Sequence, residues 1–109
     1  MNKFNARKIT RCGQTFDSQK EYERWLALHY MEKTGQIRDL RRQVKFELTP
    51  AFPKAGLRAM AYIADFVYEE DGKTVVEDVK GYRKGAAYEL FTAKKKMLYW
   101  RYGIPIKEI

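Results

Sequence analysis

The chain has 109 residues, with 22 Lys and Arg against 14 Asp and Glu, and a net charge of +8. This length suits one domain, residues 1–109, and is too short for two ordinary ones. A 45% apolar fraction that includes 15% aromatic residues excludes a typical disordered chain. The basic balance favours nucleic acid as the partner, with an anionic membrane surface as the second choice.

The sequence also excludes several classes of protein by what it lacks. We expect no transmembrane helix, because no apolar run reaches about 18 residues, and no secretory signal, because the charged start has no apolar segment. A cytoplasmic protein is therefore expected. Cys12 is the only cysteine and His29 the only histidine, so an intrachain disulfide and a Cys/His zinc site both lack partners. A Cys-His nucleophilic pair is disfavoured because Cys12 is predicted in a loop and His29 deep in a helix.

The first elements in chain order are a basic arm and a helix. Residues 1–15 are polar and basic and are predicted to form an arm or a short edge element. A helix should begin at Asp17 or Ser18, where Ser18-x-x-Glu21 fits a capping box, and should end at Gly35. Helical spacing predicts four residues of this helix in the core: Tyr22, Trp25, Leu26 and His29.

Three strands and a loop are predicted next. Val44, Phe46 and Leu48 alternate with charged residues, which is typical of a strand. Residues 49–58 contain two prolines and a glycine and are predicted to be a mobile loop. Residues 59–81 are predicted to form two strands around Asp71-Gly72, because Asp-Gly between apolar runs is a strong hairpin signal.

A second helix and a last strand complete the chain. The helix is predicted over residues 86–102, with Gly103 ending it. Five of its residues lie near one stripe along the helix: Leu90, Phe91, Met97, Leu98 and Arg101. The last strand, within residues 104–109, should run parallel to the second hairpin strand because a helix separates the two. The order α-β-β-β-α-β predicts an α/β fold with a mixed four-stranded sheet flanked by helices.

The hairpin turn fixes which charged residues share a face. With Asp71-Gly72 as a two-residue turn, Phe66 faces Glu77 and Asp65 faces Asp78. Side chains alternate between the faces of a strand. Asp65 and Asp78 therefore share one face, and Glu77 points to the other with Phe66.

Two facing carboxylates suggest a cation site. Their Cβ atoms would lie about 5 Å apart, where like charges repel, and Mg²⁺ often uses one or two carboxylates of this kind. Lys80, two residues beyond Asp78, reaches the same region and could orient a water or stabilise charge on a phosphate. The alternative is the solvated face of an ordinary hairpin. A bulge would put Glu77 in the place of Asp78.

These residues resemble the signature of the PD-(D/E)XK nuclease superfamily, an acid followed by a hairpin and then acid-x-lysine. Here Ala64-Asp65 precedes Asp78-Val79-Lys80, with alanine in place of the proline and Asp78 where glutamate is commoner. The chain also resembles a group of small phage and prophage proteins in that superfamily, catalogued as a domain of unknown function. The matching segments are FDSQKEYER, GQIRDLRRQVKFEL, YIADFVY, VVEDVKG and FTAKKKMLYWRYGI.

The resemblance implies a restriction-endonuclease-like core and a Mg²⁺-dependent endodeoxyribonuclease, with Mn²⁺ as a substitute. Asp65 and Asp78 would bind the metal, Glu21 on the first helix would be a further ligand, and Lys80 would act on the attacking water. The nearest analogues are phage endonucleases and the resolvases that cut Holliday junctions. They imply branched DNA as substrate, a homodimer, and a phage-encoded protein in the bacterial host.

Five polar residues are candidates for nucleic-acid binding: Gln43, Arg83, Lys84, Lys94 and Lys96. Arg83 and Lys84 lie between two glycines just past the acid-x-lysine motif, which suits a DNA backbone. Lys94 lies near the apolar stripe of the second helix, where a lysine that snorkels to solvent is the alternative. The competing function is a non-catalytic DNA- or RNA-binding accessory protein.

Overall fold

A computed structural model of the chain describes residues 7–109. The predicted basic arm falls partly outside this range, since residues 1–6 are not described. Its remainder is a small antiparallel hairpin of β1 (Ile9–Arg11) and β2 (Gln14–Phe16). Cys12 and Gly13 turn this hairpin with φ values of 54° and 75°. The short edge element considered for this segment is therefore a hairpin of its own.

The first helix, α1, spans Gln19–Lys33 and begins at the predicted cap. Ser18 is the N-cap, and its Oγ accepts a hydrogen bond from the Glu21 N–H at 3.0 Å. Trp25 and Leu28 are buried. Leu26, predicted in the core, is 42% exposed. The prediction was wrong because Leu26 lies about 100° around the helix from Trp25, outside the face that packs on the sheet.

The main sheet has four strands, and the predicted mixed α/β architecture is confirmed. The strands are β3 (Arg38–Thr49), β4 (Met60–Glu70), β5 (Lys73–Asp78) and β6 (Ile106–Glu108). They lie in the order β3-β4-β5-β6. The first three are antiparallel, and β6 pairs parallel to β5, as predicted.

The hairpin between β4 and β5 has the predicted register. Phe66 pairs with Glu77, and the pairing continues inward to the turn. Asp71 and Gly72 have φ values of 52° and 75°, as the two central positions of a type I′ turn require. The ladder stops at Phe66 and Glu77, so the predicted pairing of Asp65 with Asp78 lies beyond its end.

Strand β3 is longer than predicted. The faces to which its side chains point change at Gln43, which has a φ of 53°. On one side of Gln43, Arg42 lies over the Phe16 ring at 3.9 Å. On the other side, Val44 packs on the opposite face of the sheet. A residue with positive φ turns the strand, so side chains two positions apart face different helices.

The second helix, α2, spans Gly85–Tyr102 and ends at Gly103 with a φ of 71°. Its buried residues are Phe91 and Leu98. Leu90 was also expected in the stripe, but it is 53% exposed because it lies one position from Phe91. Arg101, the other outlier from that stripe, is exposed and donates to the Glu47 carbonyl at 3.1 Å.

The loop at 49–58 contains a 3₁₀ turn at Pro53–Ala55. The backbones of Phe52 and Leu57 close it with hydrogen bonds of 2.8 and 3.1 Å. Mobility of this segment stays a prediction.

The sheet separates two hydrophobic clusters. One lies against α2 and includes Tyr62, Val76, Phe91 and Leu98. The other lies against α1 and includes Phe16, Trp25, Leu28, Phe66 and Tyr68. Within residues 7–109, no helix is long and apolar enough to cross a membrane.

Candidate active site

The candidate site lies where β4 and β5 separate. Beyond the last ladder pair, the Val79 N–H donates to a carboxylate oxygen of Asp65 at 2.8 Å. β5 pairs onward with the end of the chain instead: the Ile109 N–H donates to the Asp78 carbonyl at 2.9 Å. A side chain therefore replaces the next rung of the ladder, and a gap opens between the two strands.

Asp65 is at the centre of this gap. Burial raises its pKa to about 8, and contact with the Asp78 carboxylate adds to the rise. Gln43 donates to the other Asp65 oxygen at 3.3 Å, so this candidate lies at the site, and its contact with nucleic acid stays a prediction. Nearby carboxylates disfavour the charged form of one another, so Asp65 lies where a cation would relieve repulsion.

Three acids come together at this point. Carboxylate oxygens of Asp17, Glu21 and Asp65 lie within 4.8 Å of one another. Asp17 is exposed and also lies 3.8 Å from Lys8. Asp17 was predicted only as a possible start of the helix. It lies one position before the Ser18 N-cap and outside the helix, so helical spacing did not indicate its place beside Glu21. Asp78 is not a member of this trio and reaches the site through its contact with Asp65.

Glu21 has turned inward, as its predicted role required. Its backbone N–H completes half of the capping box, but its side chain is only 3% exposed. Arg42 donates to it at 3.1 Å. Burial raises the pKa of Glu21, and Arg42 opposes that rise.

Arg42 holds this side of the site together and was not predicted. Besides Glu21, its guanidinium donates to the Gln14 side chain at 3.0 Å and to the Thr15 carbonyl at 2.9 Å. These bonds tie β3, α1 and the β1–β2 hairpin together. The only sequence signal was a basic residue in an alternating strand, which ordinarily indicates a solvated face.

Asp78 and Lys80 form the opposite side of the site, toward α2. The Lys80 Nζ lies 3.0 Å from an Asp78 oxygen and 3.7 Å above the Phe91 ring. Lys20 on α1 donates to the Lys80 carbonyl at 2.8 Å. The lysine head group is thus held beside the acids by one ion pair and one cation–π contact.

Glu77 lies outside the site. It is fully buried and accepts two hydrogen bonds from Arg24, at 2.7 and 2.6 Å, and one from the Tyr68 hydroxyl. These partners lie on the α1 face of the sheet, as the register predicted. Its carboxylate is occupied by a buried ion pair and does not take the place of Asp78.

Two clefts meet at Asp78 and Lys80. The larger has a volume of about 810 Å³ and is also lined by Glu21 and Asp65. The smaller has a volume of about 340 Å³ and lies between β4 and α2. A ligand that crosses the ends of β4 and β5 would touch both clefts.

The predicted nucleic-acid contacts are distributed unevenly around these clefts. Lys94 lines the smaller cleft. Arg83 is exposed and pairs with Glu108 at 3.2 Å, and Lys84 is exposed at the N-cap of α2. Lys96 lines a separate depression beside Tyr99. The structure therefore brings Lys94 to the site and leaves Lys96 away from it.

The donor set suits a hard divalent cation. The oxygens of Asp65, Glu21 and Asp78 are the ligand type that Mg²⁺ and Mn²⁺ take in proteins. Burial is the main cause of the raised pKa of Asp65, and the carboxylates of Asp78 and Glu21 add to the rise, so a cation at this point would relieve both effects. The residues present fit such an ion on both counts.

The protein is thus a mixed α/β domain with an acidic cleft at one end of its sheet. The chain belongs to the family described as Protein of unknown function (DUF1064), whose sequence model matches residues 1–105. No curated protein and no solved structure shows a significant match to it.

Proposed function

We propose that this protein is a metal-dependent DNA endonuclease that hydrolyses phosphodiester bonds. One observation carries the proposal: Asp65, Asp78 and Lys80 converge with Glu21 at a single cleft. These are the residues that the PD-(D/E)XK resemblance assigns to metal binding and water activation. The four residues come from α1, β4 and the end of β5. Unrelated solvated charges on separate elements would not be expected to meet at one cleft.

The arrangement of the elements supports the finer fold assignment. A helix carrying Glu21 precedes three antiparallel strands, and a crossover helix leads to a parallel fourth strand. This order is that of a restriction-endonuclease-like core. The β1–β2 hairpin is an addition at the start of the described chain, and it supports Glu21 through Arg42.

The chemistry divides between the acids and the lysine. Asp65 and Asp78, with Glu21, would hold a divalent cation, which when bound neutralises the scissile phosphate and makes water a better nucleophile. Lys80 orients the attacking water and stabilises the negative charge that develops on the phosphate. These roles are supported by the contacts of the Lys80 Nζ with Asp78 and the Phe91 ring, which hold it beside the acids.

DNA is the substrate that the surface favours. The net charge of +8 supplies affinity that depends on salt and little on sequence. Lys20 and Lys94 flank the acids from the two helices, where they can contact phosphates on either side of the scissile bond. A substrate recognised by its shape, such as a branched or four-way junction, suits this arrangement, and a homodimer would supply two symmetric cuts.

A cleavage assay tests the proposal. The protein is incubated with plasmid, a four-way junction, a duplex and a single strand, each with Mg²⁺, Mn²⁺ or EDTA. We expect cutting of at least one substrate with either metal and none with EDTA, and loss of cutting in Asp65→Ala. Binding without metal-dependent cutting would favour the non-catalytic accessory protein and contradict the enzyme. Preferential binding to RNA without cutting would favour an RNA-binding role.

A further inference from the structure

Tyr62 has a buried hydroxyl that lacks a partner. Its side chain is 5% exposed, and among the described residues its Oη makes no hydrogen bond. The ring is packed between Phe46 and Phe91, with centroid distances of 6.5 and 6.2 Å. Leaving a buried hydroxyl unpaired is unfavourable, so a site of this kind calls for an explanation.

The position of Tyr62 suggests what its hydroxyl is for. Tyr62 lines the smaller cleft together with Asp78 and Lys80. Burial raises the pKa of Tyr62, the charges of Asp78 and then Asp65 raise it further, and contact of the hydroxyl with Asp78 adds to the rise. A tyrosine hydroxyl is protonated at neutral pH in any case. It is therefore a hydrogen-bond donor beside the Asp78 carboxylate, close to it but short of hydrogen-bond geometry.

Another tyrosine of the same strand provides a contrast. Tyr68, also in β4, is 1% exposed and donates its hydroxyl to Glu77. That bond belongs to the buried ion pair with Arg24 on the opposite face. Tyr68 is thus satisfied in the fold as it stands, whereas the Tyr62 hydroxyl is left over beside the candidate site.

We propose that Tyr62 is a positioning residue that donates its hydroxyl to Asp78 when that carboxylate binds a divalent cation. The inference rests on the proposed function, since it assigns Asp78 to the metal. One Asp78 oxygen would accept from Tyr62, leaving the other directed at the ion. Hydrogen bonds to metal ligands from outside the coordination sphere typically change affinity by about 10- to 100-fold.

The test compares Tyr62→Phe with the matched control Tyr68→Phe. Mn²⁺ binding is measured by calorimetry without DNA. We expect Tyr62→Phe to weaken Mn²⁺ binding roughly tenfold, and Tyr68→Phe to leave it unchanged. Thermal unfolding without metal should show the reverse: Tyr62→Phe unfolds at the wild-type temperature or higher, and Tyr68→Phe unfolds at a lower temperature, because only Tyr68 loses a bond present in the fold.

Either of two results would overturn this inference and leave the proposed function standing. One is Mn²⁺ binding in Tyr62→Phe equal to that of the wild type. The other is a loss of stability in Tyr62→Phe equal to that in Tyr68→Phe, which would make its hydroxyl an ordinary structural bond. If the wild-type protein itself binds no Mn²⁺, the proposed metal site fails and the inference fails with it, so the two failures are distinguishable.

Discussion

The carboxylate of Asp65 accepts a hydrogen bond from the backbone N–H of Val79 at 2.8 Å. This bond lies just beyond the last pair of the β4–β5 ladder, so a side chain takes the place of a backbone partner there. The gap places Asp65 in contact with Asp78 while leaving it near the acids of α1. A single residue thus ends the hairpin and forms the centre of the candidate site.

Asp65→Asn should separate activity from stability. The amide oxygen can still accept from Val79, and removing one of two neighbouring carboxylates relieves repulsion. We expect cutting to fall by at least about 100-fold, as loss of a metal ligand would imply, while the unfolding temperature without metal stays level or rises. Cleavage rates and thermal unfolding of the same preparation check both. Wild-type cutting by Asp65→Asn would contradict the assignment.

Asp78→Asn and Glu77→Gln should have opposite effects. Asp78→Asn is expected to abolish cutting. Glu77→Gln should spare most of it but reduce the free energy of unfolding by about 3 kcal/mol, because it leaves the Arg24 charge without its buried partner. Urea unfolding and cleavage rates measure the two effects. Loss of activity in a folded Glu77→Gln protein would show that the wrong neighbour had been chosen.

Lys80→Met should impair catalysis more than binding. Its Nζ lies beside Asp78, and removing a positioned general acid–base or charge-stabilising group typically costs about 10²- to 10⁴-fold in rate. We expect cutting to fall by at least about 100-fold with little change in DNA affinity measured in Ca²⁺ or EDTA. Lys73→Met is the matched control, since Lys73 is exposed at the hairpin turn. Equal losses in both variants would indicate a general charge effect.

Glu108 should contribute to acid stability. Hydrogen bonds from Lys95, Tyr88 and Arg83 lower its pKa from an ordinary 4.5 to about 2. Because the pKa is lower in the folded state, this stabilisation is present above pH 4.5 and is lost as the pH falls toward 2. Glu108→Gln should therefore be less stable at neutral pH and should lose less stability on acidification. Parallel pH profiles of unfolding for the two proteins would contradict this.

The hairpin was predictable from sequence, and the pocket was less so. An Asp71-Gly72 turn has one favoured geometry, so counting outward gave the observed register and separated Glu77 from Asp78. The end of the ladder was not predictable, because it depends on a side chain of Asp65 that accepts from the Val79 N–H. The change of face at Gln43 was not predictable either, because glutamine is not among the residue types that favour positive φ.

The errors in the core have a related cause. Leu26 and Leu90 are apolar and lie next to the buried faces of their helices, but the face that packs is set by the sheet and not by hydrophobicity alone. Tyr62 and Arg42 were missed for the converse reason: each looks ordinary in an alternating strand. The contacts of Arg42 and the role proposed for Tyr62 both involve residues distant in sequence, such as Gln14 for Arg42 and Asp78 for Tyr62.

The claim that Asp65 holds a divalent cation is tested most directly by anomalous scattering from crystals grown with Mn²⁺. We predict a peak about 2.0–2.5 Å from an Asp65 carboxylate oxygen, shared with Asp78, Glu21 or both, and absent from Asp65→Asn crystals. A peak at Asp17 would add that residue to the ligands. Crystals at saturating Mn²⁺ with no density at Asp65 would contradict the account.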